Sequence, residues 1–234
     1  MIRKRIWTVG LLGLAWVPQL YAGSAVTLST NEVAITGLAP GGTGVLIAVA
    51  RELSEGIATV VVRDGLLPDT DGDGAVSYAL DAEPALQSVW LGFDLATPEP
   101  TAAVPSGFSI QAADSKAVDL VAKPAADELV IQLPYAQVWW SRPGLGVWAG
   151  RFGDGGEGDL ETGVDGVIGV DLGSLVALGS SGTAPAKAQA GDWVVVIDPG
   201  SLALYTAQVV ATSPGNSGQE ALTLAPVQLG EVTP

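Results

Sequence analysis

The feature that most constrains the fold of this chain is a succession of short apolar runs, rich in β-branched residues and separated by turn residues. Runs such as 45–50, 57–63 and 193–197 have the length and composition of strands. The chain has 31 glycines and 15 prolines, spread among these runs, and we identify no convincing long helix. The sequence therefore predicts an all-β protein of about fifteen strands, arranged in antiparallel β-sandwiches of immunoglobulin-like type.

A proline-rich segment at 98–106 divides the strand pattern into two parts. We predict that this segment is a linker or an edge crossover between two domains. Residues 24–97 hold about six candidate strands, so a strand from beyond the linker would complete an immunoglobulin-like sandwich of about seven. Residues 107–234 form the predicted second β-rich domain, in which 180–190 and 214–220 are expected to be loops or turns.

The first 22 residues have the organisation of a signal peptide. Basic residues at 3–5 precede an apolar stretch at 6–17, and small residues follow at 22–25. An N-terminal membrane anchor is the less favoured alternative, because a bilayer span needs about 20 apolar residues. We therefore expect no membrane span after cleavage of the signal peptide. The expected location is secreted or extracytoplasmic, in the periplasm or at the cell surface.

The composition excludes several classes of function. The chain carries 25 acidic and 10 basic residues, a net charge of −15, so it should repel nucleic acid. It has no cysteine and no histidine, which excludes disulfides, Ser-His-Asp and Cys-His catalysis, and the usual zinc sites. The paired carboxylates of a glycoside hydrolase stay open, but acidic residues are too numerous here to indicate one.

The segment 69–74 reads DTDGDG, with carboxylates at alternate positions followed by a glycine. This pattern resembles the calcium loops of EF-hand, dockerin and thrombospondin type 3 proteins, and the resemblance is local to residues 69–81. Calcium binds six to eight oxygen ligands, which a tightly curled loop can supply. The resemblance implies a Ca²⁺ ion held by Asp69, Asp71, Asp73, the carbonyl of Ala75, Ser77 and Asp81.

The loop departs from the EF-hand pattern at its end and at its flanks. Position 12, where an EF-hand has a bidentate glutamate, is Leu80, and Asp81 comes one residue late. Predicted strands flank the loop in place of helices, which favours a static structural site over a switch that opens a helix pair. The alternative is an Asp/Gly turn that binds no metal, since both residue types are favoured in turns.

A second acidic segment covers residues 153–166. Setting 161–172 under 69–80 aligns Asp165 with Asp73 and Ile168 with Val76, although Gly163 takes the place of an acid. We interpret this echo as chance similarity between turn-rich sequences, and a flexible glycine-rich loop is the alternative to a metal site. The candidate ligands of a second metal are Asp154, Glu157, Asp159, Glu161 and Asp165.

Four aromatic residues form a cluster in the sequence of the second part. Neighbouring residues of a strand point to opposite faces, so one of two adjacent tryptophans faces solvent unless both faces are covered. An exposed indole could stack on a sugar ring, whereas packing in a sandwich core or domain interface is the commoner role. The candidate ligand-binding residues are Tyr135, Trp139, Trp140 and Trp148.

These observations favour an exported, acidic, calcium-binding β-sandwich protein without enzymatic activity. Its expected role is structural, adhesive or partner-binding at the cell surface, where its partner would be a protein or a glycan. The alternative is a carbohydrate-binding protein that uses exposed tryptophans, and a glycoside hydrolase is less favoured still.

Overall fold

A computed structural model describes residues 23–54, 57–81, 83–112, 117–161, 163–179, 182–212, 221–229 and 231–232. The predicted signal peptide, the predicted turn at 214–220 and the first two residues of the predicted loop at 180–190 lie outside these residues. In the part of the chain that is described there is no α-helix, and no helix there is long and apolar enough to cross a membrane.

The described residues form eighteen strands and one short 3₁₀ turn, Leu172–Ser174. The strands in the first part of the chain are β1 (Ala25–Leu28), β2 (Glu32–Thr36), β3 (Thr43–Ser54), β4 (Ile57–Pro68), β5 (Ala75–Ala79), β6 (Gln87–Asp94), β7 (Thr97–Ala103) and β8 (Gln111–Ala112). The later strands are β9 (Val118–Val121), β10 (Glu128–Ile131), β11 (Tyr135–Arg142), β12 (Gly146–Gly153), β13 (Ile168–Asp171), β14 (Val176–Ala177), β15 (Trp193–Ile197), β16 (Ala203–Thr212), β17 (Ala221–Pro226) and β18 (Glu231–Val232).

These strands make four sheets. Sheet A has the order β1-β2-β5, and sheet B has the order β18-β7-β6-β3-β4. Sheet C has the order β14-β12-β11-β15-β16-β17, with β8 also paired to β16, and sheet D has the order β13-β10-β9. The pairings are antiparallel except those of β8 with β16 and β18 with β7. The predicted all-β antiparallel sandwich fold is therefore confirmed, whereas its immunoglobulin-like type stays a prediction.

Three buried apolar clusters stack the sheets in the order A, B, C, D. The A/B cluster includes Val26, Ile35, Leu46 and Trp90. The B/C cluster includes Ile47, Leu91, Trp139 and Val195. The C/D cluster includes Leu129, Trp140, Ile168 and Val194.

Sheets B and C are consequently covered on both faces. Successive residues of a strand point to opposite faces, so Val194 belongs to the C/D cluster and Val195 to the B/C cluster. Every residue of β15 is buried, which explains why this strand is a continuous apolar run in the sequence. Burial on both faces also removes the alternation of apolar and polar residues that marks a strand with one face in water.

The proline-rich segment predicted to be a linker or crossover is mostly a strand. Residues 97–103 form β7, which pairs with β6 and, through its last two residues, with β18. The register of β6 and β7 shifts between Gly92 and Asp94, beside the proline-containing part of β7. Prolines lack an N–H, and they are tolerated in a strand where pairing is irregular or confined to one side. The division of the chain into two domains stays a prediction.

The two parts of the chain repeat one arrangement of strands. The order β1-β2-β5 in sheet A matches β9-β10-β13 in sheet D, and β4-β3-β6-β7 in sheet B matches β12-β11-β15-β16 in sheet C. Ile35 lies opposite Val76 in sheet A, as Ile131 lies opposite Ile168 in sheet D. The echoed segments 69–74 and 161–166 therefore precede equivalent strands, β5 and β13, and our interpretation of the echo as chance stays a hypothesis.

Candidate metal centre

The first acidic loop connects β4 of sheet B to β5 of sheet A. One carboxylate oxygen from each of Asp69, Asp71 and Asp73 lies within 4.8 Å of the other two. Asp69 is buried, whereas Asp71 and Asp73 are exposed. These three residues could hold a metal ion between them.

Asp69 organises the loop through its hydrogen bonds to backbone amides. Its Oδ1 accepts the N–H of Gly72 at 2.8 Å, and its Oδ2 accepts those of Gly41 at 2.9 Å and Gly74 at 3.0 Å. The N–H of Gly41 is the main reason why the pKa of Asp69 is lowered, against the opposing effect of burial, with help from Gly74 and Gly72. The carboxylate is therefore held in its charged form and keeps only part of its capacity for a metal.

The backbone of the loop requires glycine at its last position. Gly74 has φ +80°, and a side chain there would bring its Cβ within 3.0 Å of the carbonyl oxygen of Leu38. The N–H of Leu38 donates to the carbonyl of Gly74 at 3.0 Å. This close approach fixes the acidic loop against the segment that follows β2.

The other two aspartates accept only local hydrogen bonds. Asp73 Oδ1 accepts the N–H of Ala75 at 2.8 Å, and Asp71 Oδ1 accepts the N–H of Asp73 at 3.5 Å. Carboxylates this close repel one another, and a bound cation would remove that repulsion. Asp71 has the weakest hydrogen bond of the three, so it has the most capacity left for an ion.

An open groove of about 380 Å³ lies beside the loop. Asp71, Asp73, Ala75 and Ser77 all line it, so four of the residues predicted to hold calcium meet at one place. The rest of its lining is Ala34, Leu67, Pro68, Thr70 and Val76.

Asp81 does not belong to this site, and its prediction as a ligand is wrong. It lines a different recess, together with Glu83 and Trp90. The five residues of β5 separate it from the loop, and a strand rises about 3.4 Å per residue, so the distance far exceeds a calcium–oxygen bond. Leu80 packs against the A/B cluster, so no carboxylate takes the place of the EF-hand glutamate.

The second acidic segment repeats the turn of the first one but not its cluster. Asp154 accepts the N–H groups of Asp165 at 3.1 Å and Gly166 at 2.7 Å. Asp165 accepts the N–H of Val167 at 2.9 Å, as Asp73 accepts that of Ala75. Asp154 therefore does for this turn what Asp69 does for the first, although the sequence alignment put Glu161 in that place.

The carboxylate of Asp159 is also committed to backbone amides. It accepts the N–H groups of Gly155 at 2.8 Å, Gly169 at 2.9 Å and Glu161 at 3.0 Å. Burial alone would raise the pKa of Asp159, but these hydrogen bonds lower it.

The predicted second metal site is not formed. Among the described residues, no three of the acidic side chains in this segment come close enough to hold one ion. The hydrogen bonds that Asp154, Asp159 and Asp165 accept from backbone amides account for the turns of the segment. The five residues concerned are Asp154, Glu157, Asp159, Glu161 and Asp165.

The three tryptophans of the aromatic cluster are buried, so the alternative in which they bind sugar is wrong. Trp139 is 2 % exposed, and Trp140 and Trp148 are fully buried. Trp139 faces the B/C cluster and Trp140 the C/D cluster, which confirms the interpretation that they fill the core. Tyr135 alone of the four is well exposed, at 61 %.

Each of these indoles donates a hydrogen bond to a residue distant in the sequence. Trp139 Nε1 lies 3.0 Å from Oδ2 of Asp64, and Trp140 Nε1 lies 3.2 Å from Oδ2 of Asp192. Trp148 Nε1 lies 2.9 Å from the carbonyl oxygen of Gly182. Nothing in the local spacing of the sequence indicates these partners, because they lie far from the tryptophans along the chain.

No protein-family model, no curated protein and no solved structure matches this chain.

The acidic cluster offers only oxygen atoms as ligands, which suits a hard cation such as Ca²⁺ or Mg²⁺. Calcium accepts irregular coordination geometry and longer metal–oxygen distances, whereas magnesium requires a near-ideal octahedron and usually keeps several water ligands.

Proposed function

We propose that the protein is an exported, non-enzymatic, calcium-binding β-sandwich protein with a structural, adhesive or partner-binding role at the cell surface. The observation that carries this proposal is the convergence of three carboxylates on one glycine-containing turn between sheets B and A. An ion bound there would join the end of β4 to the start of β5. It would thereby stiffen the corner at which the A/B sandwich opens to solvent.

The ligand set supports a weak site of the kind found in extracellular proteins. Asp69 has most of its acceptor capacity committed to backbone N–H groups, and no bidentate glutamate follows. We therefore expect a Kd of about 10⁻⁴ to 10⁻³ M, the range of extracellular calcium modules. At a calcium concentration tenfold above Kd, binding to the folded state alone adds about 1.4 kcal/mol to the free energy of unfolding.

The proposed location is supported by the composition of the chain, and the proposed kind of partner by the burial of its tryptophans. The net charge of −15 and the absence of cysteine suit a cation-rich exterior, and removal of residues 1–22 would make the charge more negative. A protein partner accords better with the structure than a glycan, since three of the four aromatic residues proposed for sugar binding are buried.

Calorimetric titration of the protein with calcium tests the site. We expect saturable binding of one ion, lost in Asp71→Asn. The matched control is Asp165→Asn, which changes the equivalent turn of the other repeat, where no cluster exists. The absence of binding at millimolar calcium, or equal binding by Asp71→Asn, would refute the proposal.

A further inference from the structure

The internal repeat allows each surface of the first part to be compared with its counterpart in the second. The connection that leaves β13 and leads to β15 runs over residues 172–192, whereas the equivalent connection from β5 to β6 covers only 80–86. The longer connection contains residues 182–191, which we name the strap.

The strap covers part of the C/D cluster with small side chains. Ala184 and Ala188 are buried in that cluster, which also contains Trp140 and Trp148. The indole N–H of Trp148 donates to the carbonyl of Gly182 at 2.9 Å. Without the strap, this end of the cluster would be open to water.

Polar groups outside the strap hold it in place. The N–H of Asp127 donates to the carbonyl of Ala186 at 2.7 Å, and its Oδ2 accepts the N–H of Ala188 at 3.0 Å. Arg142 Nη2 donates to the carbonyl of Lys187 at 2.7 Å, and Lys187 Nζ lies 3.0 Å from Oδ1 of Asp127. The strap is thus a segment with several bends and no strand, bound through its backbone, two alanines and one lysine.

The strand register shows which residues of the first part correspond to those under the strap. The separation in sequence between Val76 and Ile168 equals the separation between Thr43 and Tyr135, which are the first residues of β3 and β11. This offset makes Ala48 equivalent to Trp140.

The cross-strand neighbours agree with that equivalence. Ala48 lies opposite Arg63 and Trp90, as Trp140 lies opposite Trp148 and Val194. Trp90 Nε1 donates to Ser88 as Trp140 Nε1 donates to Asp192, and the second repeat adds a further indole, Trp148, at the place that Arg63 has in the first.

The first part has a recess where the second part has its strap. The recess measures about 60 Å³ and has Ala48, Ala50 and Trp90 among its lining residues. Val61 and Arg63 of β4 also line it, and Asp81 and Glu83 contribute acidic groups. The short connection at 80–86 supplies one wall but no segment equivalent to the strap.

We propose that this recess is a docking site for a short segment of a partner polypeptide that resembles the strap, with alanine or proline next to a basic residue. The recess is small, at about 60 Å³, so it suits the side chain of alanine or proline better than an aromatic one. The basic residue of the partner lies toward Asp81 and Glu83, away from Arg63. This site is separate from the calcium loop and does not rest on the proposed calcium binding.

A peptide with the strap sequence GTAPAKAQAG is the probe. We expect it to bind the protein, in the presence of EDTA, with a Kd below about 1 mM by calorimetry. Filling the recess by Ala50→Leu should weaken binding at least tenfold, whereas Ala125→Leu at an exposed position should not change it. Failure of the peptide to bind at millimolar concentration overturns the proposal.

A charge variant keeps the test valid if Ala50→Leu does not fold. Glu83→Lys should weaken binding several-fold, and Glu157→Lys, an equal charge change elsewhere on the surface, should have little effect. Equal binding by Glu83→Lys and by the unaltered protein contradicts the proposal. A concentration-dependent dimer in sedimentation experiments that Glu83→Lys abolishes would also overturn it, because the occupant would then be a second copy of the chain.

Discussion

Asp192→Ala should cause one of the larger losses of stability in this protein, because one buried carboxylate satisfies three different groups. Asp192 is 1 % exposed and accepts two hydrogen bonds from Arg142, at 2.8 Å from Nε and 2.7 Å from Nη2. It also accepts the indole N–H of Trp140 at 3.2 Å and the backbone N–H of Gln189 at 2.9 Å. Alanine at this position leaves a largely buried guanidinium and a buried indole N–H without their acceptor.

The expected loss in the free energy of unfolding is about 3 kcal/mol. Removing one partner of a buried ion pair costs about 3–5 kcal/mol, and the lower end applies because Arg142 is 14 % exposed and also donates to Lys187. For a chain of this size, about 3 kcal/mol lowers Tm by roughly 6–12 °C. Chemical denaturation followed by tryptophan fluorescence measures the loss directly.

Two comparisons separate this explanation from a general effect of losing an aspartate. Asp198→Ala, which removes local turn bonds to Gly200 and Ser201, should cost less than about 1 kcal/mol. The double variant Arg142→Met/Asp192→Leu should be more stable than Asp192→Ala, since no unpaired charge is left in the core. A loss below 1 kcal/mol for Asp192→Ala would refute the reasoning.

Three further predictions concern the turns and their carboxylates. Gly74→Ala should lower the free energy of unfolding by about 1–2 kcal/mol, because the backbone at this position has a positive φ. Denaturation experiments should show a larger loss than for Gly72→Ala, because at these two positions only a side chain at 74 also meets the carbonyl oxygen of Leu38. Gly169→Ala should cost about 1–3 kcal/mol, since its Cβ would lie 2.5 Å from Oε1 of Glu128, a side chain that is buried and has little room to move aside. Gly65→Ala, with open space around it, should change the denaturation midpoint little. The lowered pKa of Asp69 contributes stability above pH 3.8, and this contribution is lost as the pH falls through the folded-state value, so Asp69→Asn should flatten the decline of Tm with acidification below pH 4.

The sequence was sufficient to predict the type of secondary structure and the position of the acidic turn. Alternating and β-branched runs mark strands, and glycine at position 74 marks a turn that only a positive φ can form. Both signals are local, because they depend on residues a few positions apart.

The stacking of four sheets could not be predicted in this way. Whether Trp139 faces water depends on sheet B, whose strands come from a distant part of the chain. The error at Asp81 has a similar cause. Asp81 follows the acidic loop by only a few residues, but β5 runs away from the loop and carries Asp81 to a different recess. The residues at 97–103 look like a linker because of their prolines, but irregular pairing with β6 accommodates them in a strand.

The comparison of the two repeats separates the part of the acidic loop that the fold needs from the part that it does not need. Each turn has one aspartate that binds amides of its glycine-containing end, Asp69 in one and Asp154 in the other. Each also has an aspartate that accepts the first N–H of the next strand, Asp73 in one and Asp165 in the other. Asp71 has no such duty, because the hydrogen bond that it accepts from the backbone is 3.5 Å long and Gly163 takes its place in the second turn. Asp71 is thus a third carboxylate that the turn does not require, placed where it repels two others. If the proposed calcium site is correct, Asp71→Asn should remove calcium binding while leaving the stability of the calcium-free protein unchanged or slightly increased.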